Sequence, residues 1–180
     1  MACYIPHGIA SARQAVTRFW IAEDDEYVRL ALARAFRGCC TWVRPLFFTD
    51  GAALVEHCGS NCLCRPNFIV LDLQMPLLDG LSALRTLQHS SSLSETPRVI
   101  FSSNDEPETV RTAYAAGAAL YLKKPHRLEE FNDVARLCAT CLDRNPGLTR
   151  SLATLGALDA REAVKLFCIA HENSALSHPL

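Results

Sequence analysis

The sequence predicts an α/β domain built around a parallel sheet, and three observations carry that prediction. Short apolar runs alternate with amphipathic segments along residues 18–142. None of these runs shows the strict apolar–polar alternation of a half-solvated strand, as expected when helices cover both faces of a sheet. Carboxylates, a hydroxyl and lysines stand immediately after the runs, where an open parallel sheet gathers its chemistry.

The candidate strands are 18–22, 43–48, 68–71, 99–102 and 119–122. The second holds Pro45, which lacks a ladder donor and so suits an edge strand. Between them, Val28, Ala31, Leu32, Ala35 and Phe36 fall on one face of a helix over 26–37. Shorter helices fit 52–58, 81–89 and 107–116, and a fifth over 128–142 carries Leu128, Phe131, Val134, Ala135, Cys138 and Leu142 at helical spacing. The segments 58–66 and 89–96 read as loops, the second rich in serine (Ser90, Ser91, Ser92, Ser94).

Asn145-Pro146-Gly147 then breaks the chain. Two helical pieces follow, 148–155 and 160–171, the second announced by Asp159 as N-cap with Glu162 three residues on. The expected organisation is a lead-in over 1–17, a main domain over 18–142 and a helical C-terminal extension over 143–180. So short an extension cannot build a core of its own. It is expected to dock on the main domain or on another subunit through Leu152, Leu155, Val164 and Phe167.

Composition narrows the class. With 180 residues, 49% apolar, 21% charged and a formal net charge of -1, the chain is neither disordered nor collagen-like nor a basic nucleic-acid binder. No run approaches the roughly 18 apolar residues of a membrane span. The start, through Trp20, has no basic opening before an apolar core, so no signal peptide is read there. Nine cysteines, an odd number without a repeated spacing, then point to free thiols in a reducing cytoplasm. Cys58, Cys62 and Cys64 beside His57 lack the second ligand pair of a structural zinc site. Cys138 and Cys141 have redox spacing but lie inside a predicted helix, where they read as small packing residues. His126 reads as a solvent-facing loop residue.

The strand ends carry the chemistry. The first run ends in Glu23-Asp24-Asp25-Glu26, the third leads into Asp72, the fourth ends in Ser102-Ser103, and the fifth leads into Lys123-Lys124-Pro125. If the first and third strands are neighbours, Glu23, Asp24 and Asp72 share one pocket. Crowded carboxylates repel, and a divalent cation relieves them. An all-oxygen site with few protein ligands suits Mg²⁺ and leaves room for phosphate oxygens. A hydroxyl and an ammonium at the same rim complete a phosphoryl site, so the derived chemistry is phosphoryl transfer onto Asp72. Asp25 and Glu26 read instead as residues favourable at a helix start.

These residues, with the run Asp72-Leu73-Gln74-Met75-Pro76-Leu77-Leu78-Asp79-Gly80, the stretch Ala115-Ala116-Gly117-Ala118-Ala119-Leu120-Tyr121 and Lys124-Pro125, resemble the receiver domain of two-component response regulators. Asp72 precedes Ser102 by 30 residues and Ser102 precedes Lys124 by 22, a family-like spacing. The resemblance implies a flavodoxin-like (CheY-like) five-stranded sheet of order 2-1-3-4-5, with helices on both faces. It implies that Asp72 accepts a phosphoryl group from a sensor histidine kinase or a histidine phosphotransfer protein. Mg²⁺ would be held by Asp24 directly and by Glu23 through water, with Asp72 and the backbone carbonyl of Gln74 as further ligands, and Lys124 would contact the acyl phosphate. The Lys124–Pro125 bond is expected to be cis. Ser102 and Tyr121 would be the switch pair, the hydroxyl moving toward the phosphate while the ring turns inward. Gln74, Ser103 and Asn104 flank the site where the family tunes its kinetics, and Ser103 stands where the family usually has Ala or Gly.

In detail the acidic run and the segment from Ser103 to Tyr114 look like stand-alone regulators paired with bacterial phytochrome-type kinases, which often form homodimers. The output expected is protein–protein interaction, and the protein is expected to be no enzyme beyond its own aspartyl phosphorylation and dephosphorylation. Two other readings are weighed. A transcriptional regulator with a degenerate or truncated helix-turn-helix is faintly echoed by Leu158-Asp159-Ala160-Arg161-Glu162-Ala163-Val164. Residues 143–180, however, balance four basic against four acidic side chains, whereas a DNA-reading module needs a basic recognition helix. A dehalogenase-type phosphatase needs a second Asp two residues after its nucleophile; Gln74 stands there and cannot shuttle protons.

Overall fold

A computed structural model describes residues 17–39, 42–59, 65–94, 96–138, 157–160 and 162–163. Five parallel strands, β1 (Thr17–Ala22), β2 (Val43–Phe48), β3 (Phe68–Leu71), β4 (Arg98–Ser102) and β5 (Leu120–Lys123), form one sheet in the order β2-β1-β3-β4-β5. The helices are α1 (Glu26–Cys39), α2 (Gly51–Gly59), α3 (Gly80–Gln88), α4 (Pro107–Ala115) and α5 (Phe131–Arg136). The expected strand order is therefore the observed one. Pro45 lies on edge strand β2, in register with Phe19 of β1.

Successive residues of each inner strand supply opposite faces, which is why the strands read as unbroken apolar runs. Phe19 and Ile21 join Leu32, Phe36, Val70, Phe101, Leu122 and Phe131 beneath α1 and α5. Trp20 and Ala22 join Leu54, Ile69, Leu71, Leu84, Ile100 and Tyr121 on the side of α2, α3 and α4. Helix α1 starts where Asp25 Oδ1 accepts the Tyr27 and Val28 amides, at 2.7 and 3.4 Å. Its Phe36 then packs edge-on against Phe19, with ring centroids 5.5 Å apart.

The differences from the sequence reading are local. The last strand runs one residue further along, because Lys123 pairs in register with Ser102. The fifth helical segment opens with a 3₁₀ turn, Leu128–Glu130, before α5. The serine-rich loop holds a second such turn, Ser91–Leu93, pinned by buried Leu93. No peptide bond among the described residues is cis, so the Lys124–Pro125 bond is trans, against expectation; for a bond before proline the two forms differ by only about 0.5–1 kcal/mol. No helix among them is long and apolar enough to cross a membrane.

The lead-in through residue 16, the break at Asn145-Pro146-Gly147, the piece 148–155 and most of 160–171 lie outside the described residues, as do Cys62, Cys64 and Cys141. The start of the last helical piece is described. Asp159 Oδ1 accepts the Glu162 amide at 2.8 Å, and Glu162 Oε2 accepts the Asp159 amide at 3.1 Å, the reciprocal pair expected of a capping box. Leu158, Ala160 and Ala163 are buried in the α1–α5 core.

Among the described residues, one non-glycine position has a left-handed backbone. The Leu78 amide donates to the Pro76 carbonyl at 2.7 Å, closing a three-residue turn whose centre, Leu77, has φ +62° and is 87% exposed. A Cβ in that region costs about 1–2 kcal/mol and here gains no packing. Leu77→Gly is expected to stabilise the domain by about 0.5–1 kcal/mol after the extra freedom of the unfolded chain is counted. A urea midpoint at or below that of the parent chain would contradict this account.

Candidate functional site

The sheet order reverses at β1, which has β2 on one side and β3 on the other, so the carboxyl ends of β1 and β3 open side by side. The ladder continues past the strands there: the Asp72 amide donates to the Ala22 carbonyl at 2.9 Å and the Glu23 amide to the Phe48 carbonyl at 3.0 Å. This seats Glu23, Asp24 and Asp72 with one carboxylate oxygen of each within 4.8 Å of the others. Among the described residues no other His, Cys, Asp or Glu group is gathered this way.

Lys124 enters from the end of β5, its amide donating to the Ser102 carbonyl at 2.9 Å. Its Nζ donates to Glu23 Oε1 at 2.9 Å and lies 2.8 Å from Asp72 Oδ2. The ammonium also sits 5.9 Å from the centre of the Phe101 ring. Burial works against its charge, but the bond to Asp72 and the charge of Glu23 prevail and raise its pKa. Glu23 shows the opposite outcome. It is fully buried, and burial, joined by the charge of Asp72, pushes its carboxyl up to about 7 although Lys124 pulls it down. Its second oxygen, Oε2, is buried without a hydrogen-bond partner.

The other expected residues are placed as follows. The Gln74 amide donates to Asp72 Oδ1 at 3.3 Å. Ser102, at the end of β4, is buried, and its Oγ accepts the Asn104 amide at 3.2 Å. Asn104 turns its side chain to its own loop, accepting the Glu106 amide at 2.9 Å, and its carbonyl accepts the Tyr121 hydroxyl. Tyr121 is 0% exposed, so its ring is already turned inward, and burial raises its pKa. Ser103 is exposed at the rim.

Three roles in the geometry were not assigned by the sequence reading, although Asp79 stands in the quoted motif run. Arg29 Nη1 donates to the carbonyls of Glu23 (2.8 Å) and Asp24 (2.6 Å), fixing the backbone of the acidic pair from the first turns of α1. The Tyr114 hydroxyl on α4 accepts the Tyr121 amide at 3.1 Å. Asp79 caps α3, accepting from the amide and hydroxyl of Ser82 at 2.9 and 2.8 Å; burial opposes its charge, but these bonds hold its pKa below the usual carboxylate value. Arg29 and Tyr114 lie on helix surfaces, where nothing in the pattern marks them. Away from the site, Cys138 is buried in the core, and the His57 ring packs against Trp20 and Phe48 at 4.8 and 5.3 Å. His126 is exposed.

Comparison with known proteins agrees with this geometry. The response regulator receiver domain model matches residues 19–136. NtrC of Escherichia coli K12, named a DNA-binding transcriptional regulator, is 30% identical over 114 residues, which are 62% of this chain and 22% of that protein. Response regulator MprA of Mycobacterium sp. strain KMS is 32% identical over 131 residues, 72% of this chain and 52% of that one. The chain thus spans about half, or less, of the curated relatives it matches. Among solved structures, the Mn²⁺-bound form of response regulator Rcp1 superposes with a TM-score of 0.63 at 18% identity, covering 69% of this chain and 95% of that one. The phosphorylated cyanobacterial phytochrome response regulator RcpA gives 0.63 at 19%, covering 68% and 90%. At such identities these structures speak for the fold alone. With its family match, sheet order and strand-end residues together, the chain belongs to the response regulator receiver domain family.

Proposed function

We propose that this receiver is switched by transfer of a phosphoryl group from a phosphohistidine, on a sensor histidine kinase or histidine phosphotransfer protein, to Asp72. The observation that carries the proposal is the lysine bridge: Lys124 Nζ touches both the Glu23 and the Asp72 carboxylates at the sheet's switch point. An Asp72 oxygen forms the new O–P bond while the N–P bond of the phosphohistidine breaks, the electron pair staying on the histidine nitrogen. The Gln74 amide and Lys124 hold Asp72 in position for this. Lys124 then balances charge on the phosphoryl oxygens, and the Ser102 hydroxyl donates to one of them.

Mg²⁺ fits the donor set: three clustered carboxylates and a buried Glu23 oxygen without a partner are hard oxygen ligands in need of a cation. Glu23, Asp24, Asp72 and the Gln74 carbonyl would hold it, and when bound it supplies positive charge against the phosphoryl oxygens. Ser102 and Tyr121 carry the switch, and Gln74, Ser103 and Asn104 tune the lifetime of the phosphorylated state. Output runs through protein contacts, homodimerisation included, in the cytoplasm. A phytochrome-type kinase as the donor is supported by the resemblance of the acidic run and of the segment from Ser103 to Tyr114 to regulators paired with such kinases. A DNA-reading module within residues 143–180 is not favoured, because they balance four basic against four acidic side chains.

Incubating the full chain with acetyl phosphate and Mg²⁺ is expected to add one phosphoryl group, read by intact-mass spectrometry, and Asp72→Asn is expected to remove it. Labelling that persists in that variant would sink the assignment.

A further inference from the structure

The C-terminal segment meets the sheet beside the proposed switch. Leu158 makes a parallel bridge to Leu122, its amide donating to the Tyr121 carbonyl at 3.1 Å and its carbonyl accepting the Lys123 amide at 2.8 Å. Because β5 is an outer strand, these bonds close an edge that otherwise offers unpaired amides and carbonyls. The residues engaged are neighbours of the switch in two senses. Tyr121 carries the inward ring bonded to Asn104, and Lys123 precedes the lysine that holds Asp72.

The charges converge on the same place. Lys123 Nζ pairs with Asp105 at 2.5 Å, one residue beyond Asn104, while Asp159 and Glu162 attract the same ammonium from the C-terminal side. Next to this contact lies a cavity of about 280 Å³ walled by Lys123, His126, Glu130, Asp133 and Asp159. Among the described residues the segment is held by two ladder bonds, the burial of Leu158, Ala160 and Ala163, and a shared lysine, with open space on one flank. Such a contact opens more readily than the core beneath it.

We infer that the segment bearing Leu158, Asp159 and Glu162 is a latch on the β5 edge whose closure is coupled to the state of Asp72 through Lys123. The inference rests on phosphorylation of Asp72 as proposed above. A phosphoryl oxygen draws the Ser102 hydroxyl away from the Asn104 amide and shifts the loop that carries Asp105. Lys123 is then left to Asp159 and Glu162, and the latch tightens. The unphosphorylated protein opens its β5 edge more often; the phosphorylated protein keeps it covered.

The Lys123 amide reports closure directly, since it donates to Leu158. Hydrogen exchange of the full chain, with and without acetyl phosphate and Mg²⁺, is to be followed alongside intact mass. Exchange at Lys123 is expected to slow about tenfold on phosphorylation. Lys123→Ala is expected to accept the phosphoryl group as the parent does and to show no such slowing at the amide of residue 123. A phosphorylated parent with unchanged exchange overturns the latch and leaves the phosphorylation reading standing. Absence of the phosphoryl group overturns that reading and the coupling with it. Protection that grows with protein concentration overturns the latch as an element within one chain, because the strand then comes from a second copy.

Discussion

Replacing Lys124 with alanine is expected to destabilise the domain by about 1–2 kcal/mol near pH 5 and by about 1 kcal/mol more near pH 8. The asymmetry follows from Glu23. A carboxyl whose folded pKa stands at about 7, above its ordinary 4.5, favours the fold while it is protonated. That stability is fully present below the unfolded value and is lost as pH rises through the folded one, up to about 3 kcal/mol in all. In the parent chain Lys124 limits the loss by bonding Glu23 at 2.9 Å and pairing with Asp72 at 2.8 Å. Without it, burial and the charge of Asp72 act on Glu23 unopposed, its pKa climbs further, and the pH-dependent loss grows.

Near pH 5 Glu23 is protonated in both proteins, so the variant forfeits mainly the contact with Asp72. Urea denaturation at the two pH values, with a chelator present to remove divalent cations, measures the difference. A cost that does not change with pH would mean that Glu23 is not the group through which Lys124 acts. Phosphorylation by acetyl phosphate is expected to fall about 100-fold in the same variant, because Asp72 loses its positioning contact and the phosphoryl oxygens lose their counter-charge. The arrangement holds charge in a place that weakens the fold, which is common where a site must bind a cation or a phosphoryl group.

The sequence was most legible where burial leaves no choice. β3 and β4 are covered on both faces, so Phe68-Ile69-Val70-Leu71 and Val99-Ile100-Phe101 read as strands without ambiguity. Each site residue stands at or just beyond a strand end, so knowing the strands places Glu23, Asp24, Asp72, Ser102 and Lys124 at one edge of the sheet once the order is known. Contacts set by tertiary geometry were illegible. Arg29 resembles any solvated helix arginine, although it binds two carbonyls of the acidic pair. Leu158 sits in Ala157-Leu158-Asp159, too short for a strand signal, and its partner Leu122 is 36 residues upstream. The inward ring of Tyr121 and the left-handed φ of Leu77 are conformations, and several residue types would permit either alternative. The trans bond at Lys124–Pro125 belongs with them: the preference is too small for sequence to decide it.

The second large effect concerns Gly80, which the motif contains but whose necessity only the packing explains. A Cβ at Gly80 would stand 2.0 Å from the Asp72 carbonyl oxygen, 2.8 Å from its carbon and 3.0 Å from the Leu73 Cα. All three are backbone atoms and cannot swing aside. The Gly80 amide meanwhile donates to the Leu73 carbonyl at 3.0 Å, so α3 is tied to the very stretch it would collide with. Gly80→Ala must push the start of α3 from the end of β3, at a cost of about 3–4 kcal/mol, which exceeds the gain of about 1 kcal/mol that alanine brings to a helix. Gly38 is the contrasting case: it lies in α1 with nothing within 4 Å of an added Cβ, so Gly38→Ala is expected to stabilise by about 0.5–1 kcal/mol. Urea denaturation of the two variants separates propensity from collision, and both moving in the same direction would refute the collision. Because the displaced atoms are Asp72's own backbone, the folded fraction of Gly80→Ala is also expected to accept phosphoryl groups more slowly. A normal rate in that fraction would mean that the strand end yields without carrying the carboxylate away from Lys124.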